Sequence, residues 1–227
     1  MVKAVLCDID GTLVQSNWLH AEAWQRAFAE MDLMLDREAI RRQIGKGGDE
    51  LIPVFVPWWK RDAVEEPLKR YREWIFRQDF LPRVKALPKA REFAEELKRH
   101  GIRFALASSS KKVDLEDYKK ILQIEDLLDE ATTADDVDRA KPHPDVFSVT
   151  LNRLGLRAQE CIALGDTPYD AESAGKAGLR TIGVETGGWT HAELIDAGCV
   201  EAYSSVAELL DRIEESAILL EGMRRTW

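Results

Sequence analysis

Short apolar runs alternate with helical patterns along most of the chain, and this alternation is its main structural signal. One helical pattern covers Ala90–His100 and is followed by Gly101, a typical helix stop. Short apolar strands separated by helices are typical of a parallel sheet with helices on both faces. The pattern therefore predicts an α/β fold with a doubly wound, mainly parallel sheet. The predicted strands are Ala4–Cys7, Ile102–Ala107, Leu127–Thr132, Cys161–Leu164 and Thr181–Val184.

The stretch from Val14 to Pro82 breaks this alternation, because it contains helical patterns and no convincing strand. We expect it to be an inserted helical domain over residues 14–82, with residues 1–13 and 83–227 forming the core. A passage rich in proline and tryptophan interrupts it, and Trp58-Trp59 indicates either core packing or an exposed apolar patch. The predicted helices of the insertion are Trp18–Met31, Asp36–Ile44 and Glu65–Phe80, and a terminal helix is expected over Glu214–Trp227.

The hydrophobic content and net charge of the chain limit the kinds of molecule that it can be expected to bind. The chain has 227 residues, of which 45% are hydrophobic, and a net charge of −9. This balance suits a soluble globular protein with a sizeable core and argues against binding to nucleic acid or to a membrane surface. No apolar stretch is long enough to span a bilayer, and Met1 leads at once into the first strand, so we expect a cytoplasmic protein. The three cysteines show no metal-ligand spacing and are expected to be free.

Four short polar motifs lie far apart in the chain, and three of them follow predicted strands. Asp8, Ser108 and Asp166 each come directly after the last apolar residue of a run, and Lys141 precedes a proline. The carboxyl ends of parallel strands meet at one edge of the sheet, where ligands gather. We therefore expect these groups to form one site. The motifs are Asp8-Ile9-Asp10-Gly11-Thr12, Ser108, Lys141-Pro142-His143-Pro144-Asp145 and Gly165-Asp166-Thr167-Pro168-Tyr169-Asp170.

The first motif carries two carboxylates, and phosphoester cleavage needs a nucleophile and a proton donor, roles that two carboxylates can fill. Asp8 and Asp10 are two residues apart, so both point to the same side at the strand end. Asp8 can attack phosphorus to form an aspartyl-phosphate, and Asp10 can protonate the leaving group and later accept a proton from water. Ser108 can donate a hydrogen bond to a phosphate oxygen, and Lys141 can stabilise negative charge in the transition state.

In order and spacing, the four motifs resemble those of the haloacid dehalogenase-like hydrolase superfamily, in particular its branch with an inserted all-α cap on a Rossmann-like core. The resemblance implies a Mg²⁺ ion bound by the side chains of Asp8 and Asp166 and by the main-chain carbonyl of Asp10. Asp170 is either a further metal-site residue or a helix cap, since Thr167 and Pro168 look like the start of a helix. The resemblance also implies that true haloalkanoate dehalogenases lack the second aspartate of the first motif. The presence of Asp10 therefore argues against a dehalogenase activity.

The predicted cap supplies the candidate substrate-binding residues. Lys46 and Gly47 lie in a glycine-rich segment that either approaches the substrate or forms a simple turn between helices. His20 lies in a helical segment, His20–Trp24, that resembles one found in related mutases and phosphatases. Ser109, next to Ser108, is the remaining substrate-binding candidate. A serine at the end of a strand can instead cap the helix that follows, so a capping role is the alternative for it.

We predict a Mg²⁺-dependent phosphatase for a small organic phosphomonoester, most similar to phosphoglycolate phosphatases, acting as a monomer or homodimer. The main alternative is a mutase resembling β-phosphoglucomutase. Those mutases hold the distal phosphate with a cap arginine, and no arginine occupies that place here, although Arg41 and Arg42 precede it. A catalytically silent binding module is a third reading, opposed by the presence of every expected motif residue.

Overall fold

A six-stranded parallel sheet forms the centre of the computed structural model, which describes residues 1–220. Its strand order is β5-β4-β1-β6-β7-β8. The chain therefore leaves the central strand β1 to build one half of the sheet with β4 and β5, then crosses to build the other half. This is the doubly wound, mainly parallel arrangement predicted from the alternation of strands and helices. The strands are β1 Ala4–Cys7, β4 Arg103–Ala107, β5 Glu130–Thr132, β6 Cys161–Gly165, β7 Arg180–Val184 and β8 Cys199–Tyr203.

Helices cover both faces of the sheet, and the residues of β1 show why. Val5 and Cys7 belong to one hydrophobic cluster, which includes Phe93 and Phe104. Ala4 and Leu6 belong to a second cluster on the opposite face. Alternate residues of a strand point to opposite faces, so a strand that is apolar throughout is buried on both. The helices of the core are α5 Ala90–Arg99, α6 Lys112–Leu122, α7 Asp145–Leu154, α8 Pro168–Lys176, α9 His191–Asp196 and α10 Val206–Asp211.

Between β1 and β4 the chain makes a helical excursion with a hydrophobic cluster of its own. That cluster includes Trp24, Phe28 and Leu51, which are almost completely buried. The excursion begins and ends beside a two-stranded antiparallel ribbon in which Val14 pairs with Ala86. The four helices are α1 Asn17–Ala29, α2 Arg37–Arg41, α3 Gly48–Phe55 and α4 Trp58–Ile75, and the ribbon consists of β2 Val14–Gln15 and β3 Lys85–Ala86.

The helices of the excursion differ from the sequence expectation in the passage rich in proline and tryptophan. Helix α3 was not predicted there, and α4 begins at Trp58 instead of Glu65. Pro67 lies inside α4, and a proline in a helical pattern usually indicates an end. The last turn continues as a π-helix over Phe76–Phe80. Trp58 and Trp59 are exposed, so they are not part of the core.

Strand β8 at the edge of the sheet was also missed by the sequence analysis. It is short, Val200 is exposed and Ala202 is only half-buried, and Glu201 interrupts it, so it lacks the continuous apolar run of the inner strands. The predicted helix Glu214–Trp227 lies partly outside the described residues, and the described part contains a 3₁₀ turn at Ile213–Glu215. Within residues 1–220, no helix has the length and apolar character needed to cross a bilayer.

Candidate active site

The polar motifs meet where β1 lies between β4 and β6. Asp8 directly follows β1, Ser108 follows β4 and Asp166 follows β6. The connections from β1 run toward opposite halves of the sheet, and such a switch point opens a crevice at the carboxyl ends of the strands. The three residues therefore share one edge of the sheet, at the mouth of that crevice.

A buried lysine connects two of the carboxylates. Lys141 Nζ lies 2.5 Å from Asp8 Oδ1 and 2.8 Å from Asp170 Oδ1. All three side chains are buried, and a buried charge is tolerated only when it is paired. Although burial opposes the charged form, Asp170 and Asp8 raise the pKa of Lys141 above its usual value. Lys141 is therefore a fixed positive charge beside the Asp8 carboxylate.

Two hydrogen bonds and the close approach of two glycines hold the Asp166 carboxylate in place. Thr12 Oγ1 donates a hydrogen bond of 2.9 Å to Asp166 Oδ1, and Asn17 Nδ2 donates one of 2.7 Å to Oδ2. A Cβ atom at Gly187 would lie 2.0 Å from Asp166 Oδ2, and one at Gly11 would lie 2.2 Å from it. Any side chain at these two positions would collide with the carboxylate, so glycine is required there for close approach.

Asp8, Asp166 and Asp170 form a cluster suited to a divalent cation. Each offers a carboxylate oxygen, and these oxygens lie within 4.8 Å of one another. Burial raises the pKa of Asp8 to about 8 despite the nearby Lys141, and burial together with Asp170 and Asp8 raises that of Asp166 well above its usual value. With all three carboxylates ionised, the cluster would carry an excess of two negative charges over Lys141, and this repulsion adds to burial in raising the pKa values of Asp8 and Asp166. A bound divalent cation would neutralise that excess, and hard oxygen ligands are what such an ion prefers.

Asp170 caps helix α8 and also lies in the carboxylate cluster. Its Oδ2 accepts a hydrogen bond from Thr167 Oγ1 at 2.7 Å and from the Thr167 main chain at 3.1 Å, which completes a capping box at the start of α8. Its Oδ1 faces Lys141. One oxygen therefore orders the helix terminus, while the other belongs to the buried charge cluster.

Asp10 accepts four hydrogen bonds from surrounding side chains. Burial favours the neutral acid, but His20 and the hydroxyls of Ser110 and Ser16 outweigh it and hold the pKa of Asp10 well below its usual range. The donor atoms are Ser16 Oγ at 2.6 Å, His20 Nε2 at 2.8 Å and Tyr118 Oη at 2.9 Å from Oδ1, and Ser110 Oγ at 2.6 Å from Oδ2.

The contacts of His20 define its tautomer. Arg72 Nη2 lies 2.5 Å from His20 Nδ1. A guanidinium can only donate, so Nδ1 carries no proton and Nε2 donates its proton to Asp10. The His20 ring also stacks on Phe76, with 4.0 Å between ring centroids. His20 was predicted to bind substrate, and here it links Asp10 to a cap arginine.

A cavity of about 410 Å³ lies between the helical segment and the strand ends, and both Asp8 and Asp10 line it. The predicted substrate-binding residues Ser109, Lys46, Gly47 and His20 all contribute to its wall. Lys46 Nζ donates to Gln43 Oε1 at 2.7 Å and lies 4.6 Å from the centre of the Tyr169 ring. Burial lowers the pKa of Lys46.

Ser108 and Ser109 occupy different positions beside the cavity. Ser108 is almost fully buried, and its Oγ accepts a hydrogen bond from the main chain of Ser110 at 3.0 Å. Ser109 lines the cavity, with its Oγ 3.5 Å from the Gly45 carbonyl oxygen. Ser109 therefore contacts the glycine-rich loop, and Ser108 remains below it at the end of β4.

Several supporting residues could not have been identified from the sequence. Asn17 directly precedes a predicted helix and Tyr118 lies in a helical pattern, yet their partners Asp166 and Asp10 are 149 and 108 positions away. Ordinary helix starts and amphipathic helices contain the same residue types. A glycine such as Gly187 gives no local signal either, because the atom it accommodates lies on another strand end.

The fold and the carboxylate cluster define an α/β hydrolytic enzyme with a helical insertion, and comparison with known proteins agrees. Residues 5–184 match the family of haloacid dehalogenase-like hydrolases. Protein CbbY of Cereibacter sphaeroides is 30% identical over 219 residues, which cover 92% of this chain and 94% of that protein. The phosphorylated carbohydrates phosphatase of Thermotoga maritima is 28% identical over 216 residues, covering 94% and 99%.

Solved structures give the same result. A hydrolase from Pseudomonas syringae superposes with a TM-score of 0.87 at 26% identity, covering 95% of this chain and 99% of that one. The chain therefore belongs to the haloacid dehalogenase-like hydrolase family, as its motifs predict. It is a hydrolase of the phosphatase type, and its resemblance to the helical-cap branch is confirmed.

Proposed function

We propose that this protein is a Mg²⁺-dependent phosphatase that hydrolyses a small organic phosphomonoester through an aspartyl-phosphate on Asp8. The observation that carries the proposal is the buried pairing of Asp8 with Lys141 inside a cluster of three carboxylates. This arrangement combines a nucleophile, a fixed cation and a set of oxygen ligands at one strand edge.

Asp8 is the proposed nucleophile. Lys141 binds its Oδ1 at 2.5 Å and stabilises the carboxylate form, which is the form that attacks phosphorus. As the phosphoryl group transfers, Lys141 remains close to the developing negative charge, where a preorganised cation is most effective. Ser108, at the end of β4, is proposed to donate a hydrogen bond to a phosphate oxygen.

Asp10 is the proposed general acid and base. Its hydrogen bonds hold the pKa of Asp10 low in the ligand-free protein, so Asp10 would have to take up a proton when the substrate binds before it can protonate the leaving alkoxide. A proton on Oδ2 is compatible with the contact to Ser110 because a hydroxyl accepts as well as donates. After the leaving group departs, the carboxylate can take a proton from the water that attacks the aspartyl-phosphate. The donors Ser16 and Tyr118 keep Oδ1 in place during both steps.

A Mg²⁺ ion fits the carboxylate cluster. The residues proposed to hold it are Asp8 and Asp166 through their side chains and Asp10 through its main-chain carbonyl, with Asp170 beside them. When bound, the ion would screen the repulsion between the Asp8 carboxylate and the phosphate. Thr12 and Asn17 hold Asp166 for this purpose.

Residues 14–82 are proposed to form the cap of this enzyme, and residues 1–13 and 83–227 its core. The cap supplies one wall of the cavity that contains Asp8 and Asp10. A cap in this position can exclude water from the leaving group during phosphoryl transfer and open for product release. A phosphoglycolate-like small phosphate is the proposed substrate class, and the relatives named above include a phosphatase for phosphorylated carbohydrates.

A mutase of the β-phosphoglucomutase kind is the alternative to be tested. Neither Arg41 nor Arg42 supports it, because both are engaged by the core. Arg41 donates to the Gly187 carbonyl oxygen, and Arg42 forms an ion pair of 2.6 Å with Glu193. A distal phosphate would therefore need another cation.

The experiment is phosphate release from a panel of phosphomonoesters that includes phosphoglycolate and β-glucose 1-phosphate. Each is assayed with Mg²⁺ and with a chelator, using wild type and Asp8→Asn. Release that depends on Mg²⁺ and disappears in Asp8→Asn supports the phosphatase. Conversion of β-glucose 1-phosphate to the 6-phosphate only after a bisphosphate primer is added would support the mutase. Wild-type turnover by Asp8→Asn would overturn the mechanism.

A further inference from the structure

Arg72 is the cavity residue for which neither the fold nor the proposed chemistry gives a complete explanation. It belongs to helix α4 and lines the same cavity as Asp8 and Asp10. Unlike its neighbours, it forms no ion pair with a carboxylate among residues 1–220, although Asp114, Asp10 and Glu73 lie near enough to favour its charged form. Lys69 on the same helix pairs with Glu65 at 2.5 Å, and Lys111 pairs with Glu73 at 2.6 Å.

The donors of Arg72 are only partly used. Its Nη2 contacts His20, but in the described part of the chain the buried Nε has no hydrogen-bond partner. A buried donor without a partner is costly and rare in folded proteins. Burial also lowers the pKa of the guanidinium. An anion that entered the cavity would compensate for both costs at once.

The guanidinium is also held in place before any ligand arrives. It lies 5.3 Å from the centre of the Trp24 ring and 5.1 Å from that of Phe76. Both rings are buried, and such contacts attract the cation while fixing its plane. A planar fork fixed in this way is suited to a carboxylate or a phosphate.

The position of Arg72 indicates which part of a substrate it would meet. A single imidazole ring, that of His20, separates Arg72 from Asp10. Asp10 is the proposed proton donor to the leaving group, so Arg72 lies on the leaving-group side of the cavity. The whole chain has a net charge of −9, so a local cation is needed to hold an anion there.

We propose that Arg72 binds a second anionic group, a carboxylate or a phosphate, on the leaving-group part of the substrate. This inference rests on the proposed phosphatase function and specifies its substrate class. Arg72 would then be a specificity-determining residue that favours doubly anionic esters over esters with a neutral leaving group.

The test compares matched pairs of esters with the Mg²⁺-loaded enzyme. One pair is 2-phosphoglycolate and 2-hydroxyethyl phosphate, and the other is glucose 1,6-bisphosphate and glucose 1-phosphate. We expect wild type to prefer at least one doubly anionic ester. Arg72→Gln should reduce kcat/KM for that ester about 10- to 100-fold more than for its neutral partner, mainly through KM. Arg72→Lys should restore part of the preference. The pair that responds identifies the anion as carboxylate or phosphate.

Lys60→Gln is the control, because it removes one positive charge from an exposed position on the same helix, and Lys60 is not among the residues that line the cavity. It should leave the preference nearly unchanged. Equal losses for both members of each pair in Arg72→Gln would overturn the proposal, since they would mean that Arg72 acts only through His20 and Asp10. A preference lost equally in Lys60→Gln would also contradict it.

Failure of the proposed phosphatase function would give a different result from failure of the Arg72 proposal. If wild type released phosphate from none of the esters, the phosphatase proposal would fail by itself. Calorimetry would then test whether Arg72 binds an anion. It would compare the binding of phosphoglycolate and glucose 1,6-bisphosphate to Asp8→Asn with their binding to the double variant Asp8→Asn, Arg72→Gln. Binding of either ester that is at least tenfold weaker in the double variant would support the anion site, and equal or undetectable binding of both would overturn it.

Discussion

Arg41 donates a hydrogen bond of 2.7 Å from Nη1 to the main-chain carbonyl of Gly187. The two residues are 146 positions apart and belong to the proposed cap and core. Gly187 itself leaves room for the Asp166 carboxylate. A cap side chain is thus connected through one glycine to a proposed metal ligand, and this connection leads to two of the predictions that follow.

Replacing Arg41 should weaken the attachment of the cap to the core. The side chain is buried, and it also pairs with Glu38 at 2.5 Å. Arg41→Met leaves the Gly187 carbonyl without its donor, so we expect the free energy of unfolding to fall by about 1–3 kcal/mol in urea denaturation. Arg37→Met is the control, because its ion pair with Glu22 is longer, at 3.6 Å, and exposed. Equal losses in the two variants would contradict the importance of the buried contact.

Gly187→Ala should disturb the metal site without removing any ligand. Its Cβ would lie 2.0 Å from Asp166 Oδ2, so the carboxylate must move. We expect a large loss of activity and a higher Mg²⁺ concentration for half-maximal rate. In Gly175→Ala the new Cβ meets nothing within 4 Å, and replacement of a helical glycine should stabilise by about 0.5–1 kcal/mol. A Gly187→Ala enzyme with the Mg²⁺ response of wild type would refute this account of Asp166.

Mg²⁺ should stabilise the folded protein even in the absence of substrate. With Asp8, Asp166 and Asp170 all ionised, the buried cluster would carry more negative charge than Lys141 balances. A ligand that binds only the native state stabilises it by about 2.7 kcal/mol at a hundredfold excess over Kd. We therefore expect Tm to rise with Mg²⁺ and to fall again when a chelator is added.

The melting temperature of Asp166→Asn, measured with Mg²⁺ and with chelator, tests whether Asp166 is a metal ligand. Without a cation, the raised pKa of Asp166 favours its neutral acid, which asparagine resembles. Asp166→Asn should therefore melt no lower than wild type in chelator, and its Tm should respond weakly to Mg²⁺. Asp145→Asn is the control, because Asp145 pairs with Arg139 outside the cluster, and its response to Mg²⁺ should be normal. A full Mg²⁺ response in Asp166→Asn would exclude Asp166 as a ligand.

Asp10→Ala should slow the release of poor leaving groups more than that of good ones. An alkyl ester needs a proton on the departing oxygen, whereas a nitrophenolate leaves without one. We expect kcat for alkyl phosphates to fall about 10²- to 10⁴-fold and kcat for p-nitrophenyl phosphate to fall much less. If both classes lost the same factor, Asp10 would not be the general acid.

Much of this architecture could be predicted because short segments of the sequence indicate it by their pattern of apolar and polar residues. Strand β1 is an unbroken apolar run buried on both faces, and its bounds agree with the prediction. The polar residues that follow β1, β4 and β6 meet as parallel strands require. The edge strand β8 lacked that signal because one of its faces is partly exposed.

The remaining features depend on contacts between distant positions. Asn17 contacts Asp166 and Arg72 contacts His20 only because helices of the cap pack over the strand ends. Helix α4 contains Pro67 and carries three exposed tryptophans, so its sequence resembles a broken helix. No pattern within a single segment could have identified its arginine as a cavity residue.

Acid quenching during turnover tests the nucleophile most directly. Borohydride reduction converts an aspartyl-phosphate to homoserine, which mass spectrometry can locate in the digested chain. With Mg²⁺ and a phosphomonoester that the enzyme hydrolyses, we expect homoserine at position 8, and none when substrate is omitted. Homoserine at another aspartate, or continued turnover by Asp8→Asn, would contradict Asp8 as the phosphorylated residue.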